Sequence, residues 1–168
     1  MKKTRIIVFM GLLVAMNIVL ERFLSIQTPI VRISFGFLPI ALAGALFGPV
    51  GGAVAGGLSD ILGTLVAGQG GYFPGFTLTA VLGGAVYGFF LYKKPASVKR
   101  TALAVLIITV VCNIALNTLW LTVLTGKGAL AILPPRLVKD GILLPVQVFL
   151  IYSVQRLAQP LGIFRSAD

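Results

Sequence analysis

Histidine is absent from the 168 residues, cysteine occurs once, acidic residues number four, and only 11% of positions are charged. Each shortage removes a class of function. With Cys112 as the single thiol there is neither an intrachain disulfide nor a cysteine–histidine metal site, so no metal and no cofactor is expected. Cys112 lies in an apolar run and reads as a small buried hydrophobe. The carboxylates are Glu21, Asp60, Asp140 and Asp168, and nothing in their spacing indicates the close pair that aspartyl or acid–base chemistry needs. Gly126-Lys127-Gly128 lacks the upstream glycine and the Ser/Thr of a phosphate-binding loop. The chain therefore reads as a non-enzyme, with any ATP hydrolysis left to other subunits.

What is present is apolar. Hydrophobic residues make up 58% of the chain and the mean hydropathy is +1.04, against roughly 45–50% apolar residues in soluble domains. This composition belongs in lipid. The formal charge of +10 sits in short clusters between long uncharged runs, which marks membrane topology and not a nucleic-acid surface.

The apolar runs predict an all-α, single-domain integral membrane bundle of six helices, at about 5–21, 35–47, 50–67, 75–93, 101–124 and 136–157. The basic start followed by an apolar run resembles a secretory signal, but Glu21-Arg22 follows without a small-x-small cleavage site, so a retained first span is expected. Gly48-Pro49 divides the second block into two short helices. That division makes the number of crossings between Lys2-Lys3-Arg5 and Lys93-Lys94-Lys99-Arg100 even, as the positive-inside rule requires. Both termini, the latter with Arg156 and Arg165, are then cytoplasmic, and segments 21–34, 68–75 and 125–136 face outward.

Gly44, Gly48, Gly52 and Gly56, like Gly84 and Gly88, recur every fourth position and predict faces on which helix backbones pack closely. Gly11 and Ala15 have the same spacing near the start, where their small face serves either internal packing or a partner protein.

Polar residues at membrane depth form three stripes. Asn113, Asn117, Trp120 and Leu124 share one helical face; so do Arg136, Lys139, Asp140, Leu143 and Gln147; Asp60 and Thr64 form the third. Asp60, Asn113 and Gln147 lie ~15–18 Å from their boundaries, near the midplane. An isolated Asp there costs about 2.5–3.5 kcal/mol, so Asp60 is either a staple between helices or a ligand contact. The glycine-rich segment 68–76 carries Tyr72, Phe73 and Phe76, which read either as a lid over a flat ligand or as interfacial anchors. Arg32, Lys127, Arg136 and Lys139 favour an anionic ligand at the outer mouth, with Arg136–Asp140 pairing as the alternative. Together these features suit a flat heterocycle with a carboxylate tail.

The run Val31-Arg32-Ile33-Ser34-Phe35-Gly36-Phe37-Leu38-Pro39-Ile40, the turn Leu46-Phe47-Gly48-Pro49, the stretch Gly57-Leu58-Ser59-Asp60-Ile61-Leu62-Gly63 and the block Tyr72-Phe73-Pro74-Gly75-Phe76-Thr77-Leu78 resemble the substrate-binding S components of energy-coupling factor (ECF) transporters, over essentially the whole chain. The last block is most similar to the folate-specific group. The resemblance implies a multi-pass subunit of the bacterial cell membrane. It would capture folate outside and release it inside once docked on the EcfT coupling protein and two ATPase subunits. It implies that Gly11 and Ala15, at positions usually held by two alanines, meet the coupling protein. It further implies Trp120, Tyr72, Phe73 and Phe76 around the ligand rings, Asn113, Asn117, Gln147 and Asp60 on the pterin, and Arg32, Arg136 and Lys139 on the glutamyl carboxylates. The competing readings are an S component for another vitamin and a self-sufficient oligomeric transporter or channel assembled through its glycine faces.

Overall fold

The computed structural model describes residues 3–28, 32–68, 71–160 and 162; Lys2, Val31, Gln69, Gly70, Arg165 and Asp168 lie outside them. Helix α1 (Lys3–Ile18) runs into a π-helical stretch, Val19–Phe23, and then into a short antiparallel pair, β1 (Ile26–Gln27) and β2 (Arg32–Ile33), with Ile26 opposite Ile33. Next come α2 (Phe37–Ala67) and α3 (Pro74–Leu91). A continuous helical run follows, made of α4 (Val98–Ile107), a π-helical stretch (Ile108–Leu116) and α5 (Asn117–Thr125), before α6 (Ala129–Ala158). Among the described residues, five helical segments are long and apolar enough to cross a membrane. Their outer faces carry exposed Ile7, Val8, Val50, Leu65, Phe89, Val123 and Phe149. In water such a surface would aggregate; around a bundle of this composition it is the face that meets lipid.

The backbone of α2 is non-helical at Gly48 (φ 80°, ψ −172°), where two helices meet. A straight helix would hold Gly44 and Gly52 ~12 Å apart, yet a Cβ built on Gly52 would fall 3.0 Å from the Gly44 Cα. The chain doubles back at this point. Glycine tolerates the positive φ, and Pro49, lacking an N–H, suits the first turn of the returning helix. Both ends of α2 consequently lie at the same end of the molecule.

The returning helices close onto α3 through glycine. A Cβ on Gly44 would come 2.6 Å from the Gly88 nitrogen, while Gly52 meets the Gly84 carbonyl and Gly56 that of Ala80. This is backbone-to-backbone packing of the kind small residues permit in lipid. Leu13 and Val14 of α1 pack on Ala43, Leu46 and Ala55 of α2, and a second core joins Ala41, Tyr87, Val105 and Ile151. Gly11 and Ala15 face away from these contacts and are exposed; a Cβ at Gly11 would meet nothing within 4 Å.

Helix α6 starts at Ala129, upstream of the expected 136, and includes Pro134 and Pro135. These prolines leave two carbonyls of the first turn without helical donors. The exposed surroundings of Leu130 and Ala131 tolerate that loss, and buried Ile132 pins the turn to the bundle.

Candidate binding site

A cavity of about 440 Å³ opens among the end of α1, the β1–β2 hairpin, the second half of α2, the start of α3, the π stretch before α5, and α6. Its size falls within the ~300–1,000 Å³ typical of small-molecule sites.

On one wall the α-to-π transition at Val19 brings Asn17, Glu21 and Arg22 to the cavity together. The Arg22 Nη2 lies 3.7 Å from Asp60 Oδ1 and donates to Thr64 Oγ1 at 3.0 Å; Thr64 in turn donates to the Asp60 carbonyl at 2.8 Å. Thr77 donates its single hydroxyl proton to Asp60 Oδ2 at 2.7 Å, leaving the Tyr72 hydroxyl, 3.0 Å away, to donate to Thr77. Asp60 therefore staples α1, α2 and α3 together while also lining the cavity, so the two readings of this residue do not exclude each other. Nearer the hairpin, Arg32 Nη1 meets Glu21 Oε1 at 3.4 Å, and each side chain retains about a third of its surface (35% and 32%).

The opposite wall departs from the expected register. In the π-helical stretch the backbone bonds span five residues, as in Asn117 N–H to Cys112 O. The wider turn brings Ile108, Cys112, Asn113, Asn117 and Leu121 to the cavity and carries Trp120 out of its lining. The Asn117 Oδ1 on this wall, like Asn17 Oδ1 facing it, is buried without a hydrogen-bond partner among the described residues. From α6, Arg136, Lys139, Leu143 and Gln147 complete the lining. Arg136 Nη2 donates to the Asn113 carbonyl at 3.0 Å, and Lys139 Nζ lies 2.9 Å from Asp140 Oδ1.

Phe73 and Phe76 form the aromatic wall, their centroids 5.8 Å apart. Trp120 stands behind Phe73 at 5.6 Å, its Nε1 donating to Thr79 Oγ1 at 3.1 Å. Gly75 makes this stack possible, since a Cβ there would lie 2.5 Å from the Phe73 ring and 2.6 Å from the indole. Tyr72 is half exposed and absent from the lining. Of the expected contacts, Arg32, Asp60, Phe73, Phe76, Asn113, Asn117, Arg136, Lys139 and Gln147 thus converge on one cavity, whereas Trp120 and Tyr72 stand one layer behind it. Sequence reasoning missed Asn17, Glu21, Arg22 and Thr79. The signal available was Asn17, a lone amide in an apolar run, four residues before Glu21 and so on its face.

Comparison with known proteins follows the same outline. The family model described as "ECF transporter, substrate-specific component" matches residues 5–155. A folate transporter, FolT, of Clostridium novyi (strain NT) is 47% identical over 163 residues, covering 97% of this chain and 95% of that protein. A FolT of Leuconostoc mesenteroides subsp. mesenteroides is 30% identical over 155 residues, covering 89% and 83% respectively. Among solved structures, a crystal structure of FolT bound with folic acid superposes with a TM-score of 0.83 at 42% identity, covering 87% of this chain and 88% of that one.

Proposed function

The chain belongs to the substrate-specific components of ECF transporters, and from that premise we propose that it is the folate-binding subunit of such an importer in a bacterial cell membrane. The observation that carries this reading is a cavity in which cations, buried amides and aromatic rings converge, in a chain 42% identical to a FolT structure bound with folic acid. Phe73 and Phe76 supply faces for the ligand's rings, with Trp120 fixing Phe73 from behind and Tyr72 acting through Thr77. Asn17 and Asn117 bring amide groups to the cavity lining for the pterin's polar edge, and Asn113, Gln147 and Asp60 add polar contacts. Arg32, Arg136 and Lys139 meet the glutamyl carboxylates, with guanidinium forks matched to carboxylate geometry.

The reversal at Gly48 supports six crossings with both termini in the cytoplasm. It returns the chain so that Arg32 and Gly71, at opposite ends of α2, line the same cavity. This end is the outer one in our reading, and Lys93, Lys94, Lys99 and Arg100 lie inside. Release of cargo depends on EcfT and two ATPase subunits, which supply the energy, and the exposed Gly11 and Ala15 face is where the coupling protein docks.

Titration of the purified chain in detergent with folic acid, thiamin, riboflavin and pyridoxine by calorimetry tests the reading. Saturable binding of folic acid alone is the expected result. Tight binding of another vitamin would keep the transporter class and change the cargo, and no binding by a folded sample would reject the proposal.

A further inference from the structure

Two ion pairs stand in the wall formed by α1, and their environments differ. Arg22–Asp60 is enclosed, with side-chain exposures of 7% and 16%, and is braced by Thr64 and Thr77. Both pairs are longer than a good charge-assisted bond, at 3.7 Å for the first and 3.4 Å for Arg32–Glu21, but both partners of Arg32–Glu21 keep about a third of their surface (35% and 32%). It spans two elements, the π-helical end of α1 and the hairpin strand β2, and both of its residues line the cavity.

We propose that Glu21 is a built-in stand-in for a ligand carboxylate: it holds Arg32 while the cavity is empty, and an anionic ligand takes Arg32 over by exchange. The inference rests on the folate reading, which provides a ligand with carboxylates. The chemistry is that of like replacing like: one carboxylate leaves the guanidinium as another arrives, so Arg32 keeps a counter-charge throughout, and the released Glu21, with about a third of its surface exposed, is left to solvent. Being tethered, Glu21 competes at a high effective concentration. An anion offering only its charge is turned away, and one that also fills the aromatic and amide wall displaces it. The Arg22–Asp60 pair, fixed by its threonines, takes no part in the exchange.

Binding of folic acid and of its neutral dimethyl ester to the wild-type chain, E21Q, R32Q and the double variant, measured by calorimetry, tests the proposal. E21Q is expected to tighten folic acid by up to about fivefold, the worth of a partly exposed pair, while leaving the ester unchanged. In the R32Q background the same change is expected to have no effect on either ligand. Weaker folic acid binding by E21Q, equal tightening of both ligands, or tightening that persists without Arg32 would overturn the exchange; the last would point to general repulsion by Glu21. Retained affinity for the ester certifies that each variant is folded, and Glu21→Ala serves if E21Q does not fold. A wild-type chain that binds neither compound removes the folate reading itself, a result separate from all of these.

Discussion

In the stack of Phe73, Trp120 and Thr79, only Trp120 stands outside the cavity lining. Trp120 presses on Phe73 at 5.6 Å and is held by Thr79 at 3.1 Å, so Phe73→Ala is expected to cost ~1–3 kcal/mol of folate affinity by analogy with base stacking on aromatics. Trp120→Phe, which keeps a ring behind Phe73, is expected to cost less. Thr79→Val in that background should add little, since both changes remove the same bond; calorimetric titration of the four proteins checks this. Asp60 behaves differently because it holds a cation. Asp60→Ala removes the ion-pair partner of Arg22, 7% exposed, leaving it only the neighbouring Glu21, and loss of one partner of a buried pair costs up to about 3–5 kcal/mol. A large fall in thermal stability in detergent is expected, relieved in part by adding Arg22→Met. The convergence of Asp60, the asparagines and the basic residues was legible in the sequence because uncompensated polar groups in lipid must face inward. The second-layer position of Trp120 was not, because it depends on a local change of helix type.

That change of helix type belongs to the next scale. Side-chain spacing of three and four describes an α-helix, and nothing in Ile108–Leu116 announces bonds spanning five residues instead. Of the expected stripe through Asn113, Asn117 and Trp120, the two amides therefore line the cavity and the indole does not. Deleting exposed Ala115 should restore α-helical bonding between α4 and α5, which keep their places in the bundle, and remove the wider turn that carries the two asparagines to the cavity. Folate affinity is then expected to fall more than tenfold while circular dichroism reports unchanged helix content. The glycine seam was readable from spacing alone, and its elements are intolerant of side chains. Gly84→Val puts atoms where the Gly52 carbonyl sits. The clash exceeds the ~1–3 kcal/mol of ordinary overpacking, so the expected outcome is loss of the monodisperse peak in size-exclusion chromatography. Gly88→Val, which meets the backbone of Gly48 and Pro49, should do the same.

For the whole molecule, the cavity at one end and the exposed small-residue face of α1 make separable demands. Gly11→Leu is expected to leave folate affinity within twofold of wild type (about 0.4 kcal/mol), since a Cβ there meets nothing within 4 Å. Uptake by cells carrying the complete transporter should be abolished, and loss of binding instead would show that this face holds the subunit together. Composition and charge spacing were enough to read an all-helical membrane bundle, but not that Lys99 and Arg100 would fall inside α4 or Pro134 and Pro135 inside α6. Those prolines look like a loop in sequence. The helix nevertheless starts before them, with Ile132 of its first turn buried.

The seam between α2 and α3 also limits how cargo can leave. Gates inside proteins commonly turn on side chains, whose rotamers flip within picoseconds to nanoseconds. Where Gly44, Gly52, Gly84 and Gly88 meet there are no side chains to turn, only main chain in contact. A passage through that floor would require two helices to part along several turns, with the loss of every close contact between them. For the importer proposed above, the inexpensive motion would be movement of the intact body, with the mouth of the cavity serving both entry and exit.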